Sequence, residues 1–234
     1  LTARVMVNRV WDQIFGQPLV ETPSDFGVRT AAPTNPALLD GLATRFIADQ
    51  WSTKKLIRTL VTSAAFRQAS ETHKAGLAKD PENRLLWRMH RRRADFETMR
   101  DSILVISGQL EPKLGGQPFD LVANFNTPRR TIYAMIDRQN LPAVFRTFDF
   151  ANPDYHVARR NETTTPQQAL WMMNHPFTRQ QADKLAEKIA TAGSDEDKVR
   201  QLYRAILARD PKSAEIKQAL TYVTEVRQAP APAN

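Results

Sequence analysis

The sequence predicts a mainly α-helical fold: an irregular helical domain of eight or nine helices with a long irregular central insertion and one short strand pair. Three observations carry this. Apolar residues recur at helical spacing through most of the chain. Many of these stretches open on a capping residue or an Asp-Pro or Thr-Pro pair. The only clearly β-branched and aromatic run is Thr-Ile-Tyr-Ala-Met-Ile at 131–136, which reads as a short strand.

Residues 1–15 read as an amphipathic helix with Ala3, Val7, Val10 and Ile14 on one face, flanked by Trp11 and Phe15, and Gly16 placed to end it. Residues 17–33 form a Pro-, Thr- and Ser-rich loop. Thr34 is expected to cap a second helix that buries Leu38, Leu39, Leu42 and Phe46. Ser52 caps a third, with Trp51 and Leu56 spaced as a hydrophobic staple and Leu60, Val61 and Ala64 following. Residues 68–79 read as a polar connection. Asp80-Pro81 then restarts helix through Leu85, Leu86 and Met89, with a break near His90 to Arg93 before Phe96, Met99, Ile103 and Leu104.

Residues 111–128 hold Gly115, Gly116 and three prolines, so they are irregular, as is the stretch 141–164. Thr165-Pro166-Gln167-Gln168 is a capping box. Its helix ends near Asn174, and Pro176 begins another that Gly193 closes. Ser194 or Asp195 caps the next, and Asp210-Pro211 opens the last. The expected organisation is a single helical domain over 1–228: an N-terminal half to 110, the insertion at 111–164, a C-terminal half from 165, and a disordered tail at 229–234.

Composition bounds function. The 234 residues suffice for one sizeable core. No apolar run approaches the roughly 18 residues of a membrane span. The opening residues already carry a helix pattern and no signal-peptide core, so the sequence reads as part of something longer. Thirty-three Lys and Arg against 25 acids leave a net charge of +8, which permits an anionic partner. The arginines are interleaved with Asp and Glu, which argues against nucleic acid. The absence of cysteine excludes disulfides, thiolate metal sites, a Cys nucleophile and covalent haem attachment within this chain. None of the four histidines, His73, His90, His156 and His175, pairs with another at the spacing of a zinc helix.

Long strings resemble a known family: "RVMVNRVWDQIFGQPLVETPSDFG", "PTNPALLDGLATRFIADQWSTKKLIRTLVTSAAFRQAS", "DPENRLLWRMHRRRADFETMRDSILVISGQL", "RRTIY" and "RRNETTTPQQALWMMN". In this order they are similar to the planctomycete-specific domain one. That is a C-terminal domain of unknown function in planctomycete cytochrome-c-linked proteins. The resemblance implies an exported, extracytoplasmic setting. It also implies partners within the same polypeptide, a cytochrome-c-like domain and a second planctomycete-specific domain upstream. Any c-type haem would belong to that upstream part. The resemblance supplies no activity and no catalytic residues.

Four constellations carry candidate chemistry. Arg129, Arg130, Tyr133, Arg159, Arg160, Thr163, Thr164 and Thr165 join guanidinium groups to a helix start, the donor set of an anion site. The same arginines can instead tie down the insertion by pairing with Asp137, Asp149 and Asp154. Asp149, Asp154 and His156 supply two carboxylates and an imidazole, enough to hold a divalent metal; turn chemistry around Asn152-Pro153-Asp154 is the favoured explanation. Arg92, Arg93, Glu97, Arg100 and Asp101 are spaced for a structural ion-pair network, in part buried beneath the first helix near Arg4 or Asn8. Asp25-Phe26 beside Trp11 suits either a sugar contact or a core plug.

The preferred reading is a non-catalytic binding or assembly module with a basic, anion-binding insertion. The alternatives are a hydrolase or oxidoreductase acting on an acidic or sulfated glycan, and a nucleic-acid-binding domain. Whether the chain is an enzyme stays open at this level.

Overall fold

The computed structural model describes residues 1–191 and 193–228. Among them eleven α-helices follow in order: α1 (Thr2–Phe15), α2 (Pro36–Ala48), α3 (Thr53–Val61), α4 (Ala64–Arg67), α5 (Lys74–Lys79), α6 (Phe96–Ser107), α7 (Ala143–Thr147), α8 (Pro166–Asn174), α9 (Pro176–Ile189), α10 (Asp195–Leu207) and α11 (Ser213–Gln228). The mainly helical class is as the sequence predicts, and the extra helices are short. Ser63 accepts from the Phe66 N–H and so starts α4 where the third helix was expected to continue. The tail at 229–234 lies outside the described residues.

The described chain forms two compact units. Unit 1 comprises Leu1–Arg93 with Tyr155–Arg160; unit 2 comprises Ala94–Asp154 and the described residues from Asn161 on. The boundaries expected at 110 and 164 both fall inside unit 2.

Unit 1 is built on α1, α2 and α3. Ala3, Val7, Trp11 and Phe15, spaced i, i+4, meet Leu39, Ala43 and Phe46 of α2 and Leu56 and Leu60 of α3. Val10 and Ile14 are only half-buried, so the buried face is turned from the expected one toward Trp11 and Phe15, whose rings stack at 4.0 Å. Each such side chain contributes roughly 1.5–3 kcal/mol on burial. Asn8 sits within this face with no exposed surface. Its amide donates to the Val20 carbonyl at 3.1 Å and accepts from the Val20 N–H at 2.9 Å, which pins the loop after α1. Gly16 ends α1 at φ 80°. Asn35, not Thr34, caps α2; Ser52 caps α3 as expected.

Residues 80–95 correct the helix expected to start at Asp80-Pro81. Asp80 does not cap a helix: its carboxylate accepts from the Arg84 and Leu85 N–H groups, and its carbonyl accepts from the Trp87 indole. Asn83, 1% exposed and at φ 56°, exchanges hydrogen bonds with the Arg88 backbone in both directions. These side chains offer the backbone a knotted turn in place of helix. The helix lies earlier, in the supposed connection, where His73 Nδ1 accepts from the Gly76 N–H and starts α5.

Unit 2 buries Phe96 of α6, Leu121, Leu141, and Val144, Phe145 and Phe148 around α7, with Trp171 of α8 against them. Helix α9 packs on α6, where Ser107 Oγ donates to Gln181 Oε1 at 2.7 Å. The strand expected at 131–136 is instead a 3-10 turn over Thr131–Tyr133, flanked by isolated bridges pairing Glu111 with Arg129 and Phe119 with Ala134. Thr131 is the cause: its N–H and hydroxyl both donate to Asp101 Oδ1 at 2.7 Å, which draws the chain onto α6. The Thr165–Gln168 capping box opens α8 as expected. The last helix starts at Ser213 rather than at Asp210-Pro211, because Asp210 pairs with Arg204 and Glu215 accepts from the Lys212 N–H.

Candidate functional site

Arg100 is the most deeply engaged charged group. It projects from α6, the spacing that also buries Phe96 and Leu104, and none of its surface is exposed. Its guanidinium donates to the carbonyls of Phe125 at 2.8 Å and Arg129 at 3.0 Å, to that of Thr127, and to the Thr131 hydroxyl at 3.1 Å. One planar fork thus gathers four points of the segment 125–131. Phe119 and Phe177 face it at 5.5 Å. Burial draws its pKa down to about 10, opposed by Asp101, so it remains charged at neutral pH. Asp101 completes the arrangement by accepting from Thr131 and lying 3.4 Å from Arg130 Nε.

The rest of the expected ion-pair network is placed differently. Arg92 lies outside any helix and donates to the Gln13 carbonyl at 2.5 Å, at the end of α1. Glu97 lies in the first turn of α6, and Arg93 precedes the Asp95 cap. Arg4 pairs with Asp40, and Asn8 is held by Val20, so neither meets this network among the described contacts.

The arginine and hydroxyl cluster is divided between the two units. In unit 2 the Arg129 guanidinium donates to the carbonyls of Gly115 and Gln117 and covers the Tyr133 ring at 4.4 Å; the Tyr133 hydroxyl accepts from the Gly115 N–H at 2.9 Å. Arg130 turns toward Asp101. Thr163 donates through its N–H at 2.7 Å and its hydroxyl at 2.9 Å to Asp149, while Thr165 belongs to the α8 capping box and Thr164 is exposed. In unit 1 Arg159 donates to the Gly16 carbonyl at 2.6 Å, with its Nε 3.9 Å from buried Asp12, and Arg160 is half-buried. Among the described contacts, Arg130 faces Asp101 and Arg159 faces Asp12, where Asp137 and Asp154 were expected, and Asp149 serves Thr163.

Asp149, Asp154 and His156 are not gathered into a ligand set: no three or more His, Asp or Glu among the described residues stand close enough to share a metal. Asp154 follows Asn152 in a turn that its own N–H closes on Asn152 Oδ1 at 3.0 Å. Phe26 packs against the unit 1 core and Asp25 accepts from the Gly27 N–H, the core-plug arrangement.

The sequence reading missed two features. Arg100 looked like one charge of a helical ladder; its position between Phe96 and Leu104 on the buried face was the available signal. The aromatic group of Trp171, His175 and Phe125 was also missed, with His175 stacked on Trp171 at 4.5 Å. Burial lowers the pKa of His175. It also lowers that of His90, helped by the nearby Arg88 charge.

Fold and side chains together define an all-α module whose charged groups hold its own loops in place. The chain belongs to the family described as PSD1, a protein of unknown function (DUF1553), whose model matches residues 1–223. No curated protein matches it. No solved structure matches it either.

Proposed function

We propose that this chain is a non-catalytic binding or assembly module, part of an exported protein that also carries a cytochrome-c-like domain, and that it docks on its partner domains through the segment 111–164. One observation supports this above the others. Two cations of that segment, Arg129 and Arg130, are turned to acceptors of the protein itself, while several of its apolar side chains are left uncovered. Arg129 serves Gly115 and Gln117, and Arg130 faces Asp101. Ile132 and Met135 meanwhile keep 70% and 51% of their surface exposed, and Leu114 and Val122 of the same segment are exposed as well. Uncovered apolar residues on a segment fixed by buried polar bonds suit a surface made to be covered.

The resemblance to planctomycete cytochrome-linked proteins supports the choice of partner and the extracytoplasmic setting, and a chain without cysteine suits an oxidising compartment. The haem would sit in the partner domain. A basic anion site is a weaker element of this reading, since both guanidinium groups of Arg129 and Arg130 already face protein acceptors.

The test is calorimetric titration of the chain with the remaining domains of its polypeptide. Ile132→Ser combined with Met135→Ser is expected to weaken binding at least about tenfold while leaving Tm unchanged. Unchanged affinity would remove this reading.

A further inference from the structure

We infer that the corner between α2 and α3 is a docking surface for an anionic lipid membrane. The corner is a two-residue turn in which Gln50 and Trp51 adopt φ 55° and φ 58°. Neither is glycine, and consecutive left-handed L-residues cost of order 1–3 kcal/mol each, so the surroundings must hold them there. The turn is closed by the Gln50 N–H donating to Ile47 and the Trp51 N–H donating to Phe46 at 2.9 Å. Its result is to place Trp51 edge-on to buried Phe46, at 5.3 Å, with 47% of the indole residue still exposed. Ile47 at the end of α2 and Ile57 on α3 are exposed as well.

Cations surround these apolar groups. Lys54 and Arg58 share the outer face of α3 with Ile57, at the i, i+3, i+4 spacing that makes neighbours. Both are exposed, and among the described residues neither side chain has a partner. Arg45 and Lys55 flank Asp49, the one acid of the corner, at 3.7 Å and 3.2 Å, and neutralise it. The stretch 45–58 at this corner therefore carries four cations against one acid, together with an exposed indole and two exposed isoleucines.

This chemistry selects among occupants. Tryptophan prefers the boundary between water and hydrocarbon. Lysine and arginine beside it are drawn to anionic headgroups. Exposed isoleucines such as Ile47 and Ile57 suit acyl chains and offer nothing to a base or a sugar edge. The inference rests on unit 1 alone, so it stands or falls apart from the docking of 111–164.

The test is co-sedimentation of the full chain with phosphatidylcholine vesicles, with and without phosphatidylglycerol, followed also by tryptophan emission. Binding is expected only when phosphatidylglycerol is present, with a blue shift, and weaker in high salt. Lys54→Gln combined with Arg58→Gln, which breaks no contact, is expected to lower vesicle affinity about thirtyfold, or about 1 kcal/mol for each cation. Trp51→Gly is expected to lower it too without unfolding the protein, since glycine accepts the left-handed turn. Absence of binding to phosphatidylglycerol vesicles, wild-type affinity in the paired glutamine variant, or self-association that Trp51→Gly abolishes would each overturn the inference.

Discussion

Arg100 carries its charge into a place with no exposed surface, and its value to the fold lies in what it prevents. Three loop carbonyls and a threonine hydroxyl converge on it. Without the guanidinium the three carbonyls, half-buried, would lose this donor, at ~1–3 kcal/mol each, while the hydroxyl would keep its bond to Asp101. Arg100→Met, similar in length and apolar, is therefore expected to lower unfolding free energy by at least ~3 kcal/mol, with Arg100→Lys intermediate because an ammonium is a point rather than a fork. Urea denaturation of both variants checks this; a loss below ~1 kcal/mol for methionine would show that the loop finds other donors. At this scale the sequence was partly legible. Arg100 and Asp101 were legible as members of a partly buried ion-pair network at helical spacing. Their partners, 25 to 31 positions away, could not be read, because no local pattern encodes which distant carbonyl a guanidinium reaches.

Elements whose ends are fixed by neighbouring residues were the readable ones. Gly16, Ser52, Thr165 with Gln168, Pro176 and Ser194 act locally, and each stands at the helix end its chemistry predicts. Segment 80–95 misled because Leu85, Leu86 and Met89 mimic a helical period. The deciding interactions were the side-chain bonds of Asp80 and Asn83, which compete with helix and leave no periodic trace. The end of α1 also shows a local signal reinforced from afar: Arg92 and Arg159 both donate to its terminal carbonyls. A β-carbon at Gly16 would meet the Arg92 stem as well as a left-handed backbone. Gly16→Ala is expected to cost about 2 kcal/mol or more, of which ~1–2 is backbone. Gly115→Ala, equally left-handed at φ 71° but in open space, is expected to lose only the backbone part. Guanidinium denaturation of the two variants side by side provides the comparison.

For the whole molecule the histidines set the response to mild acid. Burial holds His90 and His175 neutral below their ordinary pKa of 6.5, so the unfolded chain binds more protons between the folded values and 6.5. Their contribution is complete above 6.5 and is lost as pH falls through that window. Hydrogen bonds from Arg227 to Asp195, from Ser194 to Asp197 and from Arg209 to Glu215 hold those carboxyls below the usual range, Glu215 at about 2. Stability they add above their unfolded values is lost in stronger acid. Tm is thus expected to fall in two stages, first below about pH 6.5 and again below about pH 4. His90→Gln with His175→Asn should flatten the first stage alone, as calorimetry across pH would reveal. The helical class followed from composition and spacing. The division into units did not, because residues 155–160 join unit 1 from far along the chain, a long-range choice that no local pattern announces.

That late segment has a practical consequence for anyone dissecting the gene. A fragment stopped at Arg93 omits Arg159, leaving Asp12 and the Gly16 carbonyl without that guanidinium. Its complement begins with α6 but carries residues 155–160 as a stranded loop. No single cut separates the halves cleanly. An autonomous N-terminal piece calls for the 155–160 strip to be grafted back, or for a short bridge to replace it in the remainder.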